Sequence, residues 1–384
     1  MNKESMTIQL KTLTPIWTGD AYGDCSEIKE SNIIGTIRWW YEIVSRSLGK
    51  QVCTPTLQSE DKKCKLNGEQ FIRSIREGKT IDTALDEQNI CPVCKLFGCN
   101  GWSSKLKLVV KYDDCKDISG KVYVRGRKFG KAKRKVQGKM FNESNPLTLE
   151  FYPVKEITDE EWKILAFVIK LILKWAALGA RTAQGNGVVE IINEDVLEEN
   201  KLNDLAFSSY NFPDLTDFFF VKYRLEFNED ISKIISKNVF WIDEYQDKNS
   251  DHEGLKDLWN DHKFIPIGFH IRDIIRRVEE NEDKRHELFG VVTKKNKKMI
   301  QKGSKIFVSH GYKINSNTVE CRIWGYGVGE NKREFVNKLQ NKINDELNNY
   351  LFKPKCKNKN ENKNDNNIHC NISYTEYMNN SLKV

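Results

Sequence analysis

Four cysteines fall in one stretch of the chain, Cys53, Cys64, Cys91 and Cys94, and the last two enclose Pro92-Val93 as a C-x2-C knuckle. Zinc prefers such soft thiolate ligands, and four of them close a tetrahedron with no position left open for catalysis. The pattern predicts a structural zinc. The first pair encloses ten residues instead of two, so Cys99 and Cys115 stand as spare ligands, and a set of small core cysteines is the plain alternative.

A second cluster is cationic. Between Arg125 and Lys139 lie Arg125, Arg127, Lys128, Lys131, Lys133, Arg134, Lys135 and Lys139, with no acidic residue from Ile118 to Asn142. Solvated faces usually mix signs. An unmixed run interspersed with Gly126, Gly130 and Gly138 reads as a mobile basic hairpin that gains affinity for nucleic acid by releasing counterions.

Two further segments offer ligand contacts. Gly179-Ala-Arg-Thr-Ala-Gln-Gly185-Asn-Gly187 presents three glycines, where backbone can approach a ligand closely, beside the donors of Arg181, Thr182 and Gln184. It lacks the GK[ST] of a P-loop and follows a helix instead of opening one, so it suits an RNA backbone or a simple chain reversal. In Arg38-Trp39-Trp40, Trp39 points away from the apolar stripe of its helix. It can stack a base, meet a partner subunit or pack under an insertion. Neither G-x-S-x-G nor H-E-x-x-H nor a kinase set occurs, and the six histidines are scattered.

The elements that must position these residues follow from periodicity. Thr7–Ile16 alternates as a strand, and a helix capped by Ser31 runs to Leu48. Strands follow at Lys105–Tyr112, Lys121–Val124 and Leu147–Val154. Thr158 and Glu161 form a capping box that opens a helix ending at Gly179, and Val188–Ile192 closes the unit. The order β, α, β, β, α, β is the ferredoxin-like (RRM-type) pattern of an α+β protein, interrupted by insertions around 50–95 and 113–146. Residues 196–216 read as a linker, and 217–352 as a second unit.

That second unit echoes the first. Ile34-Gly35 with Arg38 returns as Ile267-Gly268 with Arg272, Leu96-Phe97-Gly98 as Leu288-Phe289-Gly290, and Ser104-Lys105 as Ser304-Lys305. Gly185-Asn-Gly-Val188 is echoed by Gly325-Tyr-Gly-Val328, at a much shorter spacing from the previous match. The sequence therefore predicts a duplicated domain: 1–195 and 217–352, with a Lys/Asn-rich tail over 353–384.

Composition agrees. The 384 residues are 39% hydrophobic and 11% aromatic, enough for a core in each unit. With 62 Lys and Arg against 54 Asp and Glu, the net charge of +8 leans toward an anionic partner. The most apolar stretch, Trp162–Leu178, carries Lys163, Lys170 and Lys174, so it reads as a buried helix and not a membrane span. Polar Met1–Thr7 lacks a signal-peptide core, and ten cysteines without a secretion signal fit a reduced compartment, so the expected location is cytoplasmic.

Leu13-Thr-Pro-Ile-Trp-Thr-Gly19, Ile33-Ile-Gly-Thr-Ile-Arg-Trp-Trp40, Cys91-Pro-Val-Cys-Lys-Leu-Phe-Gly98, Gly179–Gly187 and Ile265–Arg277 together resemble the RAMP superfamily of CRISPR effector proteins, and within it the subunit-one branch of type III-B Cmr complexes. The resemblance spans roughly residues 7–330. It implies two tandem ferredoxin-like domains and a non-catalytic role in holding the 3′ part of the CRISPR RNA, or target RNA, alongside other Cmr subunits. Arg38, Arg181 through Gly187, Arg272 and Arg276 would then lie near RNA, and the C-x2-C would be a zinc knuckle. The competing expectation is a metal-independent RAMP-type ribonuclease that uses His270 or His310 as general acid or base.

Overall fold

A computed structural model describes residues 5–53, 63–126, 130–193, 196–197, 213–236, 242–247, 255–295, 298–329, 331–351 and 370–377. The N-terminal half runs β1 (Met6–Thr12), α1 (Glu30–Ser47), α2 (Gly68–Arg76), α3 (Ile81–Asp86), α4 (Pro92–Phe97), β2 (Leu106–Lys111), β3 (Lys116–Gly126), β4 (Gly130–Met140), β5 (Leu147–Pro153), α5 (Asp159–Trp175) and β6 (Val189–Ile191). The C-terminal half runs β7 (Phe219–Phe227), α6 (Ile231–Ser236), β8 (Ile242–Asp247), α7 (Leu255–Asn260), β9 (Phe264–Ile265), α8 (Gly268–Arg276), α9 (Glu282–Phe289), β10 (Val291–Lys295), β11 (Lys298–Lys302), β12 (Ile306–Val308), β13 (Gly311–Lys313), β14 (Thr318–Gly325), α10 (Lys332–Leu351) and β15 (Cys370–Tyr377). The chain is a mixed α+β protein with antiparallel sheets.

In the first half the strand order is β2-β5-β1-β6. Period-2 alternation sets its faces: Met6, Ile8 and Leu10 are buried while Thr7 is exposed. α5 begins at the capping box read from the sequence, with Thr158 Oγ accepting from Glu161 N and Glu161 returning the bond. α1 begins one residue before Ser31, which is therefore not its cap. In the second half β15-β7-β14-β13 runs on to β9, and β12 also pairs with β14. By place in its own sheet, the first reads second, third, first, fourth, whereas the second, with β9 and β12 counted, reads sixth, first, fifth, fourth, second, with its third strand also on the fifth.

Two sequence expectations change. Residues 370–377, assigned to a tail, are the edge strand β15, which pairs along all of β7 from Phe220 to Phe227 and buries Cys370. The C-terminal unit therefore extends past 352, and a short strand after a low-complexity stretch escapes a composition-based reading. The echo of Gly185–Val188 in Gly325–Val328 also fails. The first precedes the last strand of its half, whereas the second follows β14 and precedes α10. Of the linker, the described residues 213–217 pack on α1: Ser47 Oγ accepts from Leu215 N at 2.7 Å, and Arg46 donates to the Pro213 carbonyl.

The halves meet through aromatic side chains. Trp39 packs against Trp40 at 4.8 Å, Phe218 at 5.9 Å, Tyr326 at 6.2 Å and Phe307 at 6.4 Å, and Phe218, Phe220 and Trp324 of the second half belong to the first half's core. In the opposite direction, Ile118, Val122, Val136 and Met140 of the β3–β4 arm belong to the second half's core, and β3 pairs with β8. The arm expected to be a free, mobile hairpin is thus rooted in the other half of the molecule.

Candidate metal centre and nucleic-acid interface

Cys53, Cys64, Cys91 and Cys94 converge with every sulfur within 4.8 Å of every other. Cys53 Sγ lies 3.4 Å from Cys94 Sγ and 3.7 Å from Cys91 Sγ. Zinc–sulfur bonds of about 2.3 Å in a tetrahedron set sulfurs about 3.8 Å apart, so the donor set and spacing fit zinc. The knuckle is held by α4: Cys91 is its N-cap residue, Pro92 opens it, and the Cys91 N–H points at Cys64 Sγ at 3.3 Å. Hydrogen bonding among the crowded sulfurs, chiefly from Cys64, pulls the Cys53 thiol down to about 7. It also lowers Cys91 and raises Cys64 and Cys94. Thiols packed this closely cannot all ionise without a cation beside them, and a divalent metal would meet that need.

Arg38 stands behind this cluster. It donates to Cys94 Sγ at 3.4 Å, to the Gly98 carbonyl at 3.0 Å and to Glu42, which in turn meets Arg46. Arg272 occupies the matching place in the second half, donating to the carbonyls of Phe289 and Ile306 and to Ser304 Oγ. Burial lowers its pKa to about 10. In both halves a helix arginine ties down the Leu-Phe-Gly turn, whose glycine has a positive φ (87° at Gly98, 70° at Gly290).

The glycine-rich loop leaves α5 at Gly179. Arg181 lies over Trp17 at 3.9 Å and donates to Gln137 Oε1 at 3.0 Å, while Asn186 donates to the Gln137 carbonyl at 2.7 Å. The loop is therefore bonded to the basic arm. It also joins the halves, because His310 N donates to the Gly185 carbonyl at 2.8 Å, and a Cβ on Gly185 would sit 2.2 Å from the His310 ring. His310 is fully buried between Phe264 and Phe269. Neither ring nitrogen has a partner among the described residues, and burial lowers its pKa to about 3.

Residues 9–190 match the family model described as RAMPs, RAMP superfamily. The match spans nearly all of the N-terminal half. No curated protein matches the chain. Among solved structures, the chain is similar to "Crystal structure of Cmr1 from Pyrococcus furiosus (apo form)" at 9% identity and a TM-score of 0.40, covering 85% of this chain and 88% of that one. It is also similar to a chain of "Cryo-EM structure of the Type III-B Cmr-beta bound to cognate target RNA" at 13% identity and a TM-score of 0.36, covering 88% and 99%.

Within the N-terminal half, the structure brings the four cysteines together and joins the glycine-rich loop to the arm. Arg134 is exposed on β4, Gln184 is exposed and Thr182 is half-buried. Arg125, Lys131 and Lys133 lie on the strands of the arm, while Arg127 and Lys128 lie outside the described residues. Other assignments change. Arg38 and Arg272 are committed to interior carbonyls, so they position the turns instead of presenting guanidinium to RNA. Trp39 is spent on the seam between the halves, because the partner face lies in a sheet 180 residues away that helical spacing cannot reveal. Arg181 stacks on Trp17 and donates to Gln137 and to the Gly23 carbonyl, and Gly185 is buried under His310. Arg276 is half-buried on α8, and Arg272 feels the charges of both Arg276 and Arg134. His310 cannot serve a ribonuclease from its sealed position, and His270 is 8% exposed. Cys99 lies near Cys94, whereas Cys115 is not among the four. Lys222 and Arg224 of β7 were missed. Their signal is two cations at alternate positions, 222 and 224, followed by Glu226 at the next, on a strand whose other residues are apolar.

Proposed function

We propose that the chain is a non-catalytic RNA-binding subunit of a CRISPR ribonucleoprotein of the type III-B (Cmr) class, acting in antiviral defence in the cytoplasm. On this reading it consists of two tandem ferredoxin-like RAMP domains, residues 1–195 and a second beginning at 217 and ending with β15. The β6-β1-β5-β2 order of the first sheet supports this for the first domain, and the shared arginine-to-turn bonding of Arg38 and Arg272 supports the duplication. Structural zinc on Cys53, Cys64, Cys91 and Cys94 secures the insertion. Its partners are CRISPR RNA, at the 3′ part, target RNA and other Cmr subunits. It takes no small-molecule substrate.

One observation carries the RNA assignment: in a RAMP domain, the glycine-rich loop and the basic arm are bonded to each other through Gln137. On this reading the loop, with Thr182 and Gln184, and the arm, with Arg134, make one phosphate-facing surface. Lysines and arginines there would neutralise phosphates without reading bases. The test is end-labelled repeat–spacer RNA incubated with the protein in EDTA and run on native and denaturing gels. A mobility shift with intact RNA is expected. Discrete cleavage at one site would overturn the non-catalytic reading.

A further inference from the structure

A cleft of about 1000 Å³ opens between the halves, away from the glycine-rich loop's seam. Its two walls differ in charge. On the first half, Lys11 is already bonded to Glu143 and Glu190. On the second half, five lysine and arginine side chains face two carboxylates. At the base of that wall the β7 and β14 strands bring Lys222, Arg224 and Arg322 around the single carboxylate of Glu320.

These cations are not equally committed. Arg322 caps α5 by donating to the Ala176 carbonyl at 2.9 Å, and its Nε points to Tyr312 Oη. Arg224 donates to Glu320 at 2.8 Å, with more than half of its side chain exposed. Lys222 is different. Its ammonium lies 5.1 Å above the Trp175 ring and 3.9 Å from Glu320, beyond hydrogen-bond distance, and it has no acceptor among the described residues. Its side chain is only 22% exposed. A largely buried ammonium with three unmet donors is costly to hold in place. Burial and the neighbouring Arg322 charge both press on its proton, lowering its pKa to about 8.

We propose that this cleft is a phosphate site, in which Lys222 and Arg224 grip one phosphate group. A phosphate oxygen supplies the acceptor that Lys222 lacks, and its charge offsets the surplus that Glu320 alone leaves. Resting on the RNA-binding reading, the inference names a phosphate of the bound strand as the occupant. A free phosphate or nucleotide presents the same chemistry, and the experiment separates the two sources.

Wild type, Lys222→Met and Arg224→Gln would be titrated with a labelled single-stranded RNA across 50–300 mM salt. The same three proteins would also be titrated with inorganic phosphate and followed by ³¹P line width. Methionine keeps the stem over Trp175, and thermal denaturation of each variant reports its folding. The expected result is about a tenfold loss of RNA affinity in each variant, as for one charge-assisted contact, and a log–log salt slope flatter by about 0.7. Wild type binding RNA while both folded variants match its affinity and slope would overturn the strand assignment. No RNA binding by wild type would instead sink the RNA reading itself. In that case, phosphate broadening lost in Lys222→Met would keep the site for a free anion, and its absence would end the proposal.

Discussion

Trp39→Ala tests whether the Arg-Trp-Trp motif is an RNA contact or the seam of the molecule. Trp39 touches four aromatic rings, three of them (Phe218, Phe307 and Tyr326) from the second half. Truncating a buried Trp costs about 3–5 kcal/mol, and each aromatic pair contributes about 0.5–1.5 kcal/mol within that figure. Trp39 is half-buried, so the lower end applies, about 3 kcal/mol. For a chain of this length each kcal/mol shifts Tm by about 2 °C, giving a fall of about 6 °C. Because the contacts join the halves, unfolding followed by calorimetry should also broaden or split in two as the halves uncouple. Trp39→Phe should recover part of the loss. A base-stacking Trp predicts the opposite pattern, with unchanged Tm and RNA affinity lower by about 1–3 kcal/mol. An unaltered Tm with a single sharp transition would refute the seam assignment.

Two more outcomes follow from buried groups. If the four cysteines hold zinc, Cys94→Ser should lose about one equivalent by metal analysis, and Arg38→Met, which removes the donor to Cys94 along with the bonds to Gly98 and Glu42, should weaken zinc binding about 10–100-fold. Full metal content in Cys94→Ser would exclude the site. His310 titrates near 3 when folded and near its ordinary 6.5 when unfolded, so below 6.5 the unfolded chain binds the extra proton. Its contribution is fully present above pH 6.5 and lost as pH falls toward 3, by about 1.4 kcal/mol per pH unit at most. His310→Phe removes that acid limb and two orphaned nitrogens, so urea denaturation at pH 5 should find the variant at least as stable as wild type. A less stable variant at pH 5 would show that the ring nitrogens are bonded after all.

Local signals were legible and distant pairings were not. The capping box at Thr158, the strand at Leu147–Pro153 and the long helix Lys332–Leu351 follow from periodicity and caps, because those forces act within a turn or two of chain. The cysteine set was readable because metal chemistry restricts its ligands to a few residue types. What escaped depends on which surfaces meet. The aromatic face of Trp39, the apolar inner face of the basic arm and the pairing of β15 with β7 all join residues far apart in sequence. Charge was a partial guide: it marked the arm, yet it also promoted Arg38 and Arg272, whose guanidinium groups bind backbone carbonyls.

The two Leu-Phe-Gly turns show why one half has a cysteine cluster and the other does not. Residues 48–105 connect α1 to β2, whereas 277–305 connect α8 to β12, half the length. The shorter connection is tied by Arg272, which donates to Ser304 Oγ and the Phe289 carbonyl, by Lys305 N donating to the Leu288 carbonyl at 2.8 Å, and by the Lys305–Glu287 ion pair. The longer one repeats that arrangement: Lys105 N donates to the Leu96 carbonyl at 2.9 Å, and Ser104 Oγ bridges Leu96 and Leu106. It must also fix α2, α3 and the chain around Cys53 and Cys64, which bury few apolar side chains of their own. A longer loop costs more entropy to close, and a small insertion lacks the core to offset it. Zinc on the four cysteines would supply that missing constraint, and Arg38, which donates to both Cys94 and Gly98, would link it to the turn that both halves share.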